Sequence, residues 1–184
     1  MTNIFTKNAD DLTPIETQID ELFRLIDDID ICMMTTFDDG GLRSRPMSTQ
    51  KTPHQGSDLW FMTRTDTHKI DEIVNHPEVN LAYFKAGEWI SVTGTAVVMQ
   101  DRSLIHSLYD PSWKAWLEDK GGALDGGPDD PRIALIMVDI EHATYFKHTA
   151  SKPSVYFQIA KATLTGSAPK LGEQRELDGA DLKR

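Results

Sequence analysis

Two short stretches of the sequence carry basic side chains in positions suited to binding a phosphate. Arg45 lies on an expected strand and offers a planar set of several donors. Thr67, His68 and Lys69 lie where a strand gives way to a helix, and a helix start has free backbone N–H groups and the positive end of the helix dipole. The two stretches together predict a mononucleotide phosphate site. Taken alone, each is more typical of a solvated lysine near a helix cap or of a surface arginine.

Alternating and β-branched segments supply the elements that would hold these side chains. We predict six strands, at residues 30–37, 42–51, 58–63, 79–84, 89–100 and 133–140, the last continuing through 144–147. Gly94, in the middle of the longest strand, indicates a bend or bulge of the kind that a closing barrel needs. Helical spacing predicts helices at residues 14–27, 67–75, 101–108 and 112–119. The expected fold is mainly β, an antiparallel barrel with short flanking helices.

The two ends of the chain are expected to differ from its centre. We predict one domain at residues 13–148, an N-terminal tail at 1–12 and a C-terminal helix and tail at 149–184. Thr13 is the expected cap of the first helix, with Pro14 in its first turn and Glu16 as capping-box partner. Residues 165–184 have the composition of a disordered tail, so packing on the domain or on a partner subunit would be needed to hold them.

Composition and charge exclude several classes of function. The net charge of −10 and the lack of a dense basic cluster argue against a nucleic-acid partner. We expect no membrane partner and a cytoplasmic location, because the sequence has neither a long apolar run nor a secretory signal. Cys32 is the single cysteine and is expected to be a buried, inert thiol. The histidines show no metal-ligand spacing, so no metal is expected, and no residue is identified as catalytic.

The order of several motifs resembles the FMN-binding split-barrel family of pyridoxamine 5'-phosphate oxidase-like proteins, in particular its general stress protein 26 branch. The family motifs are Arg45-Pro46-Met47-Ser48, Leu59-Trp60-Phe61-Met62-Thr63, Thr67-His68-Lys69-Ile70 and residues 76–84 and 90–96. The branch motifs are Trp113-Lys114-Ala115-Trp116 and residues 126–132. The resemblance implies a six-stranded antiparallel split β-barrel that forms a homodimer, with FMN in a groove between the subunits.

The resemblance also implies which residues bind FMN. It places the strand-borne arginine at Arg45, backbone contacts to the flavin edge at Pro46, Met47 and Ser48, and a strand pair near the phosphate at Met62 and Thr63. It places the phosphate-binding basic pair at His68 and Lys69 with Thr67 beside it, a residue from the partner subunit near Trp89, and a flavin cover at Trp113 or Trp116.

The sequence departs from the oxidase of this family in ways that bear on its activity. Gln50 stands where the oxidase has a lysine, Phe146 where it has a late tryptophan, and its substrate-phosphate residues have no counterpart here. Oxidation of pyridoxamine phosphate is therefore not expected. The hypothesis is a flavin-dependent oxidoreductase of unknown substrate, with a nicotinamide donor and a stress role. The alternatives are a non-catalytic flavin carrier or sensor, or a split barrel that binds another ligand such as haem or a deazaflavin.

Overall fold

A single antiparallel sheet forms the centre of the described part of the protein. The structure is a computed structural model and describes residues 13–51, 58–148 and 172–183. These residues form seven strands: β1 (Ile31–Asp38), β2 (Gly41–Ser48), β3 (Asp58–Arg64), β4 (Glu78–Lys85), β5 (Glu88–Met99), β6 (Ile133–His148) and β7 (Gly172–Asp178). The strand order is β2-β1-β4-β5-β6-β3, with β7 also paired to β6.

The sheet is strongly curved, but within the described residues no continuous ladder of hydrogen bonds joins its two end strands. The end strands β2 and β3 meet through a single bridge, between Thr49 and Phe61. The inward-facing side chains of β1, β3, β4, β5 and β6 fill the core beneath α1. The prediction of a mainly β, antiparallel split barrel with short helices is confirmed, and the six predicted strands are present with bounds shifted by no more than a few residues.

The seventh strand was not predicted, because the composition of residues 165–184 indicated a tail. β7 pairs along the outer half of β6, from His142 opposite Asp178 to His148 opposite Gly172. Leu177 is fully buried, and the equally buried Arg175 forms an ion pair with Glu173. The polarity of the local sequence does not predict that an arginine is buried here. Part of the C-terminal segment is therefore packed on the domain of its own chain.

Gly94 forms the irregularity that the sequence predicted. The register between β5 and β6 shifts between Thr93 and Gly94. A Cβ atom at position 94 would lie 2.2 Å from the backbone oxygen of Asp139, so only glycine allows this close approach of the two strands.

The first helix, α1 (Ile15–Ile29), begins as predicted but is capped differently. Its apolar stripe buries Leu22 and Ile26 in the core. The predicted Thr13 cap is wrong, since Pro14 occupies the cap position and no side chain caps the helix. The Thr13 hydroxyl instead accepts a hydrogen bond from Arg175 Nη2, 3.1 Å away on β7.

The remaining helices are short. They are α2 (His68–Asn75), α3 (Arg102–Leu108), a 3₁₀ helix (Pro111–Trp116) and α4 (Gly179–Leu182). The 3₁₀ helix replaces the helix predicted at residues 112–119, and Trp113 anchors it on β6 in a second apolar cluster with Ile133 and Leu135. No helix in the described part of the chain is long and apolar enough to span a membrane. The predicted N-terminal tail at 1–12 and residues 149–171 of the predicted C-terminal helix and tail lie outside the described residues.

Candidate functional site

A groove runs between the end of β2, the end of β3 and the 3₁₀ helix. We call it the β2–β3 groove; it encloses about 560 Å³. Nine of the predicted site residues line it: Pro46, Met47, Ser48, Met62, Thr63, Thr67, Lys69, Trp113 and Trp116. Segments separated by more than sixty residues in the sequence are thus brought to one cleft.

A second groove lies on the other side of Lys69, against α2. This α2 groove encloses about 1060 Å³ and is lined by the predicted residues Arg45 and His68. Thr67 and Lys69 line both grooves, so the two cavities meet at the start of α2. The predicted basic cluster is therefore a junction between grooves.

Lys69 is the half-buried cation at this junction. Its Nζ donates to the hydroxyls of Thr63, at 3.1 Å, and Thr67, at 3.2 Å. No carboxylate among the described residues lies within ion-pairing distance of it. Burial, and secondarily the positive charge of Arg45, lowers the pKa of Lys69 below the usual lysine value of 10.5. A partly desolvated ammonium with two hydroxyl neighbours is suited to binding an anion.

Arg45 is held by a buried carboxylate. Its Nη2 lies 2.5 Å from Glu72 Oε2 on α2, and its Nη1 donates to the hydroxyl of Thr36 at 2.6 Å. The Thr36 hydroxyl in turn donates to Glu72, also at 2.5 Å. Glu72 and Thr36 were not identified from the sequence, because nothing in the local pattern indicates that Glu72, 7% exposed beside Ile73, faces inward.

The start of α2 keeps its backbone free of a side-chain cap. The Thr67 hydroxyl donates to the carbonyl oxygen of Arg64, 2.9 Å away, and does not cap the helix. Arg64 itself is paired with Asp66, whose carboxylate accepts hydrogen bonds from Arg64 Nε at 2.9 Å and from Arg64 Nη2 at 2.5 Å. His68, the first residue of the helix, is exposed beside the α2 groove. The first turn of α2 thus has no side-chain cap, and within it the N–H of Ile70 donates to the carbonyl oxygen of Thr67 at 3.0 Å.

The two predicted tryptophans of the 3₁₀ helix have different environments. Trp113 is only 3% exposed and packs in the second apolar cluster. Its indole N–H donates to Gln50 Oε1 at 3.0 Å. Trp116 is 74% exposed and forms an aromatic edge of the groove. Gln50, which also lines the groove, was noticed in the sequence only as a departure from the oxidase.

Trp89 lies apart from both grooves within one chain. It is at the start of β5 and stacks on Phe146 of β6, with ring centroids 6.5 Å apart and an interplanar angle of 14°. Its contribution to a site therefore requires a second chain and stays a prediction.

A buried aspartate organises the loop behind the 3₁₀ helix. Asp130 is fully buried and accepts hydrogen bonds from the backbone of Gly126 and from the side chain of Arg132, the latter at 2.6 Å. Its bond to Arg132 holds the pKa of the Asp130 carboxyl well below its usual range. The loop receives the Tyr109 hydroxyl at Gly126 and so supports the groove from outside.

Among the described residues, no group of three or more histidine, cysteine or acidic side chains is arranged to hold a metal ion. The β2–β3 groove itself is lined by three cations, Lys51, Arg64 and Lys69, together with carboxylates, hydroxyls, thioethers and indoles.

Comparison with known proteins places the chain in a family. The family model described as pyridoxamine 5'-phosphate oxidase like matches residues 17–170. The chain belongs to the pyridoxamine 5'-phosphate oxidase-like family. Protein bli-3 of Neurospora crassa is 33% identical to this chain over 181 residues, which cover 96% of this chain and 87% of that protein.

Solved structures show the same fold as this pyridoxamine 5'-phosphate oxidase-like protein. A protein described as general stress protein 26 from Jannaschia sp. CCS1 superposes with a TM-score of 0.70 at 22% identity, over 89% of this chain and 99% of that one. The general stress FMN/FAD binding protein of Xanthomonas citri superposes with a TM-score of 0.61 at 24% identity, over 74% and 92%. The resemblance to the family is confirmed, and solved structures described as general stress protein 26 share the fold of this chain.

Proposed function

We propose that the chain binds FMN in the β2–β3 groove and acts as a flavin-dependent oxidoreductase. The observation that carries this proposal is Lys69, a half-buried cation with no ion-pair partner among the described residues, at one end of a groove with aromatic and thioether walls. FMN combines a phosphate with a planar ring, and this groove offers complementary groups at its two ends. The residues present therefore fit the cofactor.

The phosphate would be held at the junction of the two grooves. Lys69 supplies charge, Thr67 a hydroxyl, and the uncapped first turn of α2 backbone donors. Arg45 would donate to the phosphate through the guanidinium N–H groups that do not bind Glu72 or Thr36. His68, at the first position of α2, would contribute when protonated.

The ring would lie farther along the groove. β2 is an end strand of the sheet, so one backbone edge near Pro46, Met47 and Ser48 is unpaired and can face the ring. Met62 and Thr63 on β3 form the opposite side, and Trp113 and Trp116 form the cover. When bound, the flavin supplies the redox chemistry, while the chain supplies position and electrostatics.

A second copy of the chain would complete the site. The outer face of β1, β2 and β4 exposes apolar side chains, of which Leu42 is 76%, Phe84 72% and Ile31 56% exposed. Exposed apolar surface of this kind is typical of an interface between proteins. We propose a homodimer across this face, in which Trp89 reaches the groove of the partner. The proposed setting is the cytoplasm, with a reduced nicotinamide as donor.

A longer flavin is a second candidate, because the α2 groove continues past Lys69 with His76 and Asn75 on its wall. FMN would end at the junction, whereas FAD would extend into the α2 groove. Titration of the purified protein with FMN and with FAD distinguishes them, since Asn75→Ala would weaken only FAD binding if the second nucleotide lies there.

The test of the proposal is the absorption spectrum of the purified protein before and after FMN is added and the excess removed. We expect retained flavin in the wild type, at least tenfold weaker binding in Lys69→Ala, and no change in Lys120→Ala, which removes an exposed lysine near Glu118. A colourless protein, or a haem or deazaflavin spectrum, would overturn it. Bleaching of the bound flavin by NADH or NADPH would then separate an enzyme from a carrier or sensor.

A further inference from the structure

We propose that Gln50 is a positioning residue that fixes the width of the β2–β3 groove by tying the 3₁₀ helix to β2. The inference rests on the proposed flavin site, because a groove of fixed width matters only if a planar ligand enters it. Gln50 touches the cover of the groove and both of its strands, and no other residue described here does this through its own hydrogen bonds.

Three hydrogen bonds of Gln50 link three walls. Its backbone N–H donates to the carbonyl oxygen of Trp60 on β3 at 2.7 Å. Its side-chain Nε2 donates to the carbonyl oxygen of Ser48 on β2 at 3.2 Å, and its Oε1 accepts from the indole of Trp113 at 3.0 Å. The amide is thus oriented by one strand and presents its oxygen to the 3₁₀ helix.

The bond to Trp113 matters because that indole is buried. A buried N–H left without an acceptor costs more than the bond itself contributes, so loss of the Gln50 oxygen favours a different position of the ring. Trp113 also packs edge to face on Tyr109, at 5.5 Å between ring centroids. A shift of Trp113 therefore moves both Tyr109 and Trp116, which line the same groove.

No other side-chain hydrogen bond joins the 3₁₀ helix to residues 46–51 within the described ranges. On its other side the helix is held by the apolar cluster around Ile133 and Leu135 and by its own caps, of which Asp110 accepts from Ser112 N. Without the Gln50 bond the helix would keep its anchor on β6 and lose its link across the groove. The expected consequence is a looser cover on a folded protein.

The side-chain chemistry of position 50 allows a graded test. Gln50→Met keeps the length of the side chain but has no acceptor for the indole. Gln50→Glu keeps the acceptor and loses the donor to Ser48. Trp113→Phe keeps a buried ring and removes the donor. Gln100→Met is the matched control, because Gln100 donates to the backbone of Pro131 and Ile133, away from the groove.

Two measurements on the full-length chain read out the proposal: the indole N–H resonance of Trp113 in the flavin-free protein, and the dissociation constant for FMN. In Gln50→Met we expect a displaced Trp113 resonance and about two- to tenfold weaker FMN binding, the range of one neutral hydrogen bond. Gln50→Glu should stay closer to wild type in both, and Gln100→Met should match wild type. Combining Gln50→Met with Trp113→Phe should cost less than the two separate losses added together.

The outcomes separate this inference from the proposed function. If the wild type does not bind FMN, the proposed function fails and this inference falls with it, whatever the indole resonance reports. If the wild type binds FMN and Gln50→Met binds it equally well with an unmoved resonance, the inference is overturned and the flavin site stands. If Gln50→Met fails to fold, Trp113→Phe takes its place because it removes the donor of the same hydrogen bond, and unchanged FMN affinity in Trp113→Phe would overturn the inference.

Discussion

Lys69 connects protonation to binding at the scale of a single residue. Burial lowers its pKa from 10.5, so the free protein loses this charge at a lower pH than an exposed lysine would. A bound phosphate favours the charged form, and binding then takes up protons in the alkaline range. We expect FMN affinity to be full below the lowered pKa of Lys69 and to fall as pH rises through it.

The measurement is the FMN dissociation constant between neutral pH and the alkaline limit of stability, compared with Lys69→Arg. An arginine stays charged throughout, so its profile should be flat over the same range. Equal pH profiles for the two proteins would show that Lys69 does not carry the charge that binds the phosphate.

A site residue can be predicted from the sequence when the residues with which it interacts are close to it along the chain. Thr67 and Lys69 act within one helix start, so their spacing was enough to propose a phosphate site there, and that site stays a prediction. The partners that complete the site lie far along the chain: Glu72 meets Arg45 from 27 residues away and Trp113 meets Gln50 from 63. Such pairs are fixed by the register of strands and by packing, and no local pattern encodes them.

At the scale of elements, the same limit explains which strands were found. The predicted strands β1, β3, β4 and β5 alternate between buried and more exposed residues, whereas β7 buries the charged Arg175 beside Leu177. Arg175 on β7 is 1% exposed and lies 3.5 Å from Glu21 of α1 and 2.7 Å from Glu173. From composition alone an arginine is expected to be exposed to solvent. The sequence therefore does not reveal that Arg175 is buried beside two carboxylates and fixes the strand in place.

The bulge of β5 at Gly94 provides a prediction for the element. Gly94→Ala would place a methyl group 2.2 Å from the carbonyl oxygen of Asp139, and the two strands would have to separate. We expect a loss of about 2–4 kcal/mol in the free energy of unfolding, measured by denaturant titration. Gly40→Ala is the control, since its nearest neighbour would be the Arg43 side chain at 3.5 Å. A Gly94→Ala protein as stable as Gly40→Ala would mean that the strands are less tightly apposed than described.

At the scale of the whole molecule, flavin binding in the groove and formation of the proposed dimer depend on each other. Its inner edge holds the groove and its outer face, with Leu42 and Phe84, is proposed to hold the second chain. Trp89 at the β4–β5 turn is outside its own groove, so a site that uses it exists only in the dimer. Dissociation of the dimer should then weaken flavin binding even where every groove residue is intact.

Phe84→Asp tests this coupling. A charge in the centre of an apolar interface is costly to desolvate, so we expect the mass by light scattering to fall from twice 20.7 kDa to one chain. FMN binding should weaken in parallel, and wild-type binding should weaken on dilution below the dimer dissociation constant. Val74→Asp alters an equally exposed valine, 69% exposed on α2, and should leave both unchanged. A monomeric wild type that binds FMN would separate the groove from the interface and leave Trp89 without a role in the site. If Phe84→Asp is a monomer with unchanged FMN affinity, the proposed dimer interface at Phe84 stands, but Trp89 has no role in the site.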